Sequence, residues 1–289
     1  MRSLPLIFLT LAGCIGCSSN IPASTAPSSS SITAPTVEAA APGPLPKTEA
    51  AHTIFMAGDS TMANKQASDW PETGWGVPFA IFFNADYTVD NRAMNGRSTR
   101  TFISEGRWQA IADQLKAGDY VFIQFGHNDE SPAKVDRYTT PEQYKANLTR
   151  FVHDVRAKKA EPILLSPITR RNFDAAGKIQ ETHVEYSPLS RQVAQAEKVV
   201  FIDLDSITRA HFQAEGDAGS RLRFMHIPPN IHPNYPKGVS DNTHLNELGA
   251  REVAQLVLAE LKRIQHPLAQ QLRTPDSKHM ELIYTAPKD

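Results

Sequence analysis

A three-layer α/β/α fold, with a parallel sheet of five strands at its centre, is predicted by three features of this 289-residue sequence. Short apolar runs of strand length alternate with longer amphipathic stretches. The runs lie a dozen or more residues apart, the separation that parallel crossovers need and hairpins do not. Polar clusters follow several of the runs directly, and open parallel sheets bind their ligands at the carboxyl ends of strands.

In chain order, Thr53-Ile54-Phe55-Met56-Ala57 reads as a buried first strand and Tyr87-Thr88-Val89-Asp90 as a weaker second. Tyr120-Val121-Phe122-Ile123-Gln124-Phe125 is the clearest strand, and Pro162-Ile163-Leu164-Leu165-Ser166 and Val199-Val200-Phe201-Ile202-Asp203 complete five. Continuous apolar character suits strands covered on both faces. Helices are expected around 75–83, 106–117, 141–158 and 187–197; in the last, Leu189, Val193 and Ala196 recur at helical spacing. A final helix over 246–264 places Leu248, Val253, Leu256, Val257, Leu261 and Ile264 on its inner stripe.

Composition excludes several classes. Thirty basic and 31 acidic side chains leave a net charge of -1, without the basic excess that marks a general nucleic-acid binder. No run of about 18 apolar residues is present to span a membrane as a helix. Cys14 and Cys17 are the two cysteines, so the sequence beyond them has no disulfide, cysteine-zinc site or cysteine nucleophile. Its chemistry falls to hydroxyl, imidazole and carboxylate.

The N-terminus reads as an export signal. Arg2 precedes a short apolar run to Leu11, and small residues follow it. Leu11-Ala12-Gly13-Cys14 resembles a bacterial lipobox, which implies lipidation at Cys14, with Cys17 as the second candidate, and a lipoprotein anchored to the cell envelope. From residue 18 to 50, 24 of the 33 residues are Ser, Thr, Ala or Pro, a composition expected of a disordered tether. Residues 51–267 are expected to form one domain. The stretch 268–289 is read as a polar tail, with Met280-Glu281-Leu282-Ile283-Tyr284 as an added edge strand or a loose end.

Four polar clusters are predicted to meet on one rim: Gly58-Asp59-Ser60-Thr61, Asn95-Gly96-Arg97-Ser98-Thr99-Arg100, Gly126-His127-Asn128-Asp129 and Asp241-Asn242-Thr243-His244. A serine in a tight turn needs a base to become a nucleophile. His244 supplies one, and Asp241, three residues earlier, is placed to orient it. Acyl transfer also needs donors aimed at an oxyanion, and the N–H groups of Ser60 and Gly96 with the Asn128 amide are the candidates. His226, His232 and His244 fit no metal-binding spacing among intervening prolines, and no metal is expected.

Together the clusters resemble the blocks of the SGNH (GDSL-type) hydrolases and, in their fuller strings, the rhamnogalacturonan acetylesterases among them. The resemblance runs from about Thr53 to Leu261. It implies a flavodoxin-like sheet, Ser60 as nucleophile, Asp241 and His244 as its partners, and oxyanion donors at Ser60, Gly96 and Asn128. The implied reaction is hydrolysis of acetyl esters on a pectic polysaccharide or its oligosaccharides, with no cofactor. The same residues serve an acetylxylan esterase equally well. A non-catalytic carbohydrate-binding protein or an envelope lipase are the other readings. Trp75, Trp108 and Tyr235 offer faces for a sugar ring, and Arg97 or Arg100 a partner for a uronate carboxylate.

Overall fold

Residues 51–273 are described by the computed structural model; the leader, Cys14 and Cys17, the tether and the 280–284 segment lie outside the described residues. Strands β1 (His52–Gly58), β2 (Tyr87–Asn91), β3 (Tyr120–Gln124), β4 (Glu161–Leu165) and β5 (Val200–Ile202) form an all-parallel sheet in the order β2-β1-β3-β4-β5. This is the flavodoxin-like order, in which the chain reverses direction across the sheet between β1 and β3. The five strands follow the apolar runs of the sequence to within a residue or so at each end.

Alternation along the strands sorts the core into two halves. Ile54, Met56, Phe122, Ile163 and Leu165 point to one face, where α1 (Gly76–Phe79), α6 (Leu204–Ser220) and α7 (Glu247–Arg263) cover them. Phe55, Ala57, Val121, Ile123 and Leu164 point to the other, beneath α2 (Thr99–Ser104), α3 (Arg107–Ala112), α4 (Pro141–Ala157) and α5 (Tyr186–Glu197). On the first face Phe79 meets the edges of Trp75, Phe83 and Phe122 at centroid distances of 5.4, 5.0 and 5.1 Å, an arrangement that suits the aromatic quadrupole.

Several elements depart from the sequence expectation. The first helix is one turn, continued as a 3-10 turn at Ala80–Phe82. Helix α2 begins inside what reads as a polar loop, because Ser98 and Thr101 form a reciprocal capping box. Helix α6 is unexpected from its thin apolar pattern, and its backbone leaves helical geometry at Gly216. On α7 the buried stripe is Gly249, Ala250, Val253, Ala254, Val257, Leu258 and Leu261, and Leu248 faces solvent. Packing also continues past Pro267: Leu268 is fully buried, Leu272 bridges to Phe83, and the Arg273 N–H donates to the Phe82 carbonyl at 2.8 Å. Among the described residues no helix is long and apolar enough to cross a membrane.

The sixth and seventh strands form a separate antiparallel hairpin, β6 (Phe224–Ile227) with β7 (Val239–Leu245), where the sequence reads as an irregular proline-rich loop followed by a helix start. Its pairing is irregular: between Phe224–Leu245 and His226–Ser240, two steps along β6 face five along β7. The surplus is a bulge, and it contains Asp241, Asn242, Thr243 and His244. Bulges of this kind re-aim side chains next to functional sites.

Trp108 belongs to the core and not to a sugar-binding face. Its ring lies 4.0 Å from that of Phe151, and its Nε1–H donates to Asp154 Oδ2 at 2.8 Å. Trp108→Ala is therefore expected to cost about 3–5 kcal/mol in urea unfolding, while turnover per folded molecule stays unchanged. A selective loss of turnover on a polymer, at unchanged stability, would return Trp108 to the binding surface.

Candidate active site

The chain leaves β1 through a turn held from beneath by a buried polar relay. Asp59 Oδ1 accepts the Thr61 N–H at 2.9 Å and the Thr61 hydroxyl at 2.7 Å. Thr61 Oγ1 accepts from Gln124 Nε2 at 2.8 Å, and Gln124 Oε1 accepts from Trp75 Nε1 at 2.6 Å. The bonded atoms of this line satisfy one another, while Asp59 Oδ2 is left without a hydrogen bond and faces His127 Nδ1 at 3.3 Å. The segment 74–76 presses against the same turn. A Cβ on Gly74 would stand 2.3 Å from the Ala63 carbonyl oxygen, so only glycine permits that approach. Ser60 rides on top of the turn with its hydroxyl toward the β7 bulge.

The bulge brings the imidazole to meet it. His244 Nε2 lies 2.9 Å from Ser60 Oγ, and His244 Nδ1 lies 2.7 Å from Asp241 Oδ2. The other carboxylate oxygen of Asp241 accepts the N–H groups of Thr243 at 2.6 Å and His244 at 3.1 Å, which locks the bulge around it. Arg171 fixes the bulge from outside. Its backbone N–H donates to the Asn242 carbonyl at 2.8 Å, its Nη1 donates to Asn242 Oδ1 at 2.9 Å, and its far side pairs with Asp217.

The three expected oxyanion donors lie on neighbouring segments, since Lys65 Nζ joins the Ser60 carbonyl to Asn95 Oδ1 and Asn128 donates to the Arg97 carbonyl. Among the described residues neither the Ser60 N–H nor the Gly96 N–H has a hydrogen-bond partner. Gly96 has φ 76°, the left-handed region that glycine enters without strain. Asn128 uses one amide N–H on the Arg97 carbonyl at 3.0 Å and has a second to offer. Asp129 ties these pieces together: its carboxyl accepts the Thr99 N–H at 2.9 Å and the Thr99 hydroxyl at 2.6 Å, joining the start of α2 to the end of β3. A hydroxyl, a base with an orienting carboxylate, and donors without ground-state partners are the parts required for acyl transfer.

The expected substrate contacts fare differently. Trp75 is fully buried and supports the Ser60 turn, so it cannot stack on a sugar. Tyr235 spends its hydroxyl on the Asp69 carbonyl at 2.6 Å, docking the β6–β7 loop onto residues 67–70. Arg97 is engaged by Glu105 at 3.0 Å and by the Asn95 carbonyl at 2.8 Å. Arg100 donates to the Val135 carbonyl at 2.7 Å. Three residues passed over in the sequence prove prominent. Trp70 is 43% exposed, Arg137 stands over Gly96 and Asn128, and Lys65 is buried against Ser60. None of them lies in a recognisable block, and Arg137 sits where the sequence offers only a polar loop.

Residues 56–251 match the family model described as GDSL-like lipase/acylhydrolase. The chain is 40% identical over 225 residues to the rhamnogalacturonan acetylesterase RhgT of Bacillus subtilis, an alignment covering 78% of this chain and 96% of that protein. It is 30% identical to the rhamnogalacturonan acetylesterase of Emericella nidulans, over 72% of this chain and 84% of that one. Among solved structures, the YxiM protein of Bacillus subtilis superimposes with a TM-score of 0.64 at 28% identity, over 75% of this chain and 57% of that one. The acetylxylan esterase Axe2 of Geobacillus stearothermophilus superimposes with a TM-score of 0.51 at 17% identity, over 74% and 96% of the two chains. At that identity the likeness is one of fold.

Electrostatics follow from the geometry. Burial opposes ionisation of Asp241, yet the bond to His244, the charge of His244 and the backbone N–H groups of Thr243 and His244 hold the carboxyl down to about 2. It is therefore an acceptor, and the proton between the pair sits on His244 Nδ1. Burial pulls His244 down, but the bond to Asp241 and the negative charges of Glu72 and Asp241 outweigh it and the Lys65 charge, leaving the imidazole above its ordinary value. The folded protein thus favours the imidazolium. The stability this adds is complete below about 6.5 and is lost as pH rises through the folded value. Asp241→Asn removes the carboxylate charge and leaves a neutral amide opposite Nδ1, and the His244 midpoint, read by NMR of the ring protons, is expected to fall by about one pH unit or more. An unchanged midpoint would show that Asp241 does not govern the imidazole.

Proposed function

The chain belongs to the GDSL-like lipase/acylhydrolase family and is a carboxylic ester hydrolase; from that premise we propose that it removes acetyl groups from rhamnogalacturonan through an acetyl-serine intermediate. The observation that carries the mechanism is the line of hydrogen bonds from Ser60 through His244 to Asp241, at 2.9 and 2.7 Å. Ser60 Oγ attacks the acetyl carbonyl while His244 Nε2 takes the hydroxyl proton. The oxyanion lies among the N–H groups of Ser60 and Gly96 and the Asn128 amide. As the ester C–O bond breaks, His244 returns the proton to the departing sugar oxygen. Water then attacks acetyl-Ser60 with His244 again as base, and acetate leaves.

Two rhamnogalacturonan acetylesterases among the relatives support the substrate, and so does the charge beside the oxyanion turn. A cavity of about 340 Å³ shares Gly96 with the site and is lined in part by Arg97 and Arg137. Arg97 is matched by Glu105, whereas the carboxylate beside Arg137 is that of Asp136, 69% exposed and 3.3 Å away. Such a surface pair contributes little, so Arg137 exchanges it readily for a uronate carboxylate. A larger cavity of about 540 Å³ opens at the amino ends of β3, β4 and β5, the opposite end of the sheet from Ser60. The lipobox-like sequence ending at Cys14, with Cys17 as alternative, supports an exported and membrane-anchored enzyme.

Acetate release should be measured on acetylated rhamnogalacturonan, on acetylated xylan and on a small chromogenic acetate. Ser60→Ala is expected to lose a factor of about 10⁴ or more on every substrate the wild type hydrolyses. Arg137→Gln is expected to raise KM about tenfold on the uronate polymer and to change the two neutral substrates much less, by no more than the loss of its 3.5 Å contact with Asn128 Oδ1 brings. Release from xylan but not from the pectic polymer would discard the substrate and keep the mechanism. A fully active Ser60→Ala would sink both.

A further inference from the structure

The proposed ester chemistry leaves one buried cation without a role. Lys65 lies in the turn after β1 with its side chain 2% exposed. Its Nζ donates to the carbonyl oxygen of Ser60 at 2.6 Å and to Asn95 Oδ1 at 2.7 Å, and it pairs with Glu72 Oε1 at 2.6 Å. An ammonium carries three N–H donors, and these acceptors take all three. They belong to three different pieces of the site. Ser60 carries the attacking hydroxyl, and Asn95 immediately precedes Gly96. Glu72 bridges to Asn246, while Thr73 N–H donates to the Leu245 carbonyl at 2.9 Å, one residue beyond His244.

Burying a charge is unfavourable unless it is both paired and hydrogen-bonded. Burial draws the Lys65 ammonium below the ordinary lysine range, and Glu72, Asp59 and Asp69 draw it back. The charged groups acting on His244 are Asp241 and Glu72, which favour the imidazolium, and Lys65, which opposes it.

We propose that Lys65 and Glu72 are a positioning pair for the reaction: the ammonium fixes the Ser60 backbone against the turn that carries Gly96, and Glu72 holds that ammonium while its own segment is bridged to Leu245 and Asn246, next to His244. Neither residue touches the reacting atoms. The inference rests on the Ser60–His244 mechanism proposed above, and its test separates the two.

The probe is the rate at which a fluorophosphonate labels Ser60 in the full chain, measured across about pH 5 to 9, with hydrolysis of the small chromogenic acetate beside it. Labelling of the wild type and not of Ser60→Ala establishes the nucleophile independently. Lys65→Met is expected to move the acid limb up by about 0.5 pH unit and to lower the plateau about tenfold or more, as misplaced reacting groups do. Glu72→Gln is expected to move the limb down, and the double variant to fall between the two with its plateau still low. Lys65→Arg keeps the charge, so its limb stays in place even where the plateau drops. Should Lys65→Met not fold, Glu72→Gln and Lys65→Arg still carry the signs. A Lys65→Met plateau that matches wild type, or limbs of Lys65→Met and Glu72→Gln that move in the same direction, would overturn the pair while leaving Ser60 as nucleophile. A wild type that is not labelled would bring down the serine mechanism and the pair together.

Discussion

The hydrogen bond between Ser60 Oγ and His244 Nε2 joins residues 184 positions apart, and much of the architecture is there to make those two atoms meet. The serine is fixed first, because β1 lies inside the sheet between β2 and β3 and its carboxyl end has no freedom to slide. Register pairs Gly58 with Gln124, and Gln124 is the residue that turns inward to hold Thr61 and Trp75. The histidine arrives from the opposite direction. It comes from a hairpin that is not part of the main sheet, and the extra residues on β7 swing it out of line toward β1. A displacement of about 1 Å in either partner would cost the pair its geometry, which explains why both are held by hydrogen bonds to backbone rather than by apolar packing alone.

That demand sets up a conflict with burial. The carboxyl end of a parallel strand is enclosed on both faces, yet the chemistry needs Asp59, Thr61, Gln124, Asn128 and Asp129 in the same volume. The conflict is resolved by closing most of the donors and acceptors among themselves. Asp129 shows the tension: burial pushes its carboxyl up to about 7 against the bonds from Thr99 and Thr139 that favour the charged form. Among the described residues the N–H groups of Ser60 and Gly96 have no hydrogen-bond partner, and neither have the ring nitrogens of buried His127. An unpaired donor in a folded protein is a free-energy loss, and its natural relief is an anion. In the proposed mechanism those two N–H groups of Ser60 and Gly96 are among the donors that receive the oxygen of the tetrahedral intermediate.

Legibility in the sequence tracked how a residue earns its place. The five strands were visible because two-sided burial demands unbroken apolar runs, and Ser60, Gly96, Asn128, Asp241 and His244 were visible because they follow such runs or form compact polar blocks. The β6–β7 hairpin was hidden. Val239-Ser240-Asp241-Asn242-Thr243-His244-Leu245 has no alternation to reveal a strand, since its bulge breaks the two-residue period on which that signal depends. Trp75 and Trp108 misled for the opposite reason. An indole can face a sugar or a core, and only the partners of its N–H, Gln124 and Asp154, tell which. Lys65 could not be found at all, because a lone lysine in a polar loop reads as solvated until its three acceptors, from three segments, are seen around one nitrogen.

A division of labour follows from where these residues lie. The residues proposed for the ester chemistry lie at strand ends and on the bulge. What surrounds it comes from connections: residues 66–73 after β1, the stretch around Arg137 between β3 and α4, and the β6–β7 loop that docks through Asn234 and Tyr235 onto residues 67–70. Those connections carry Arg137 and Trp70, and apart from Glu72, whose pairing with Lys65 reaches the Ser60 carbonyl, they can vary in length and charge more freely than the strand ends. Related enzymes can therefore share one mechanism and differ in the sugar that carries the acetyl group.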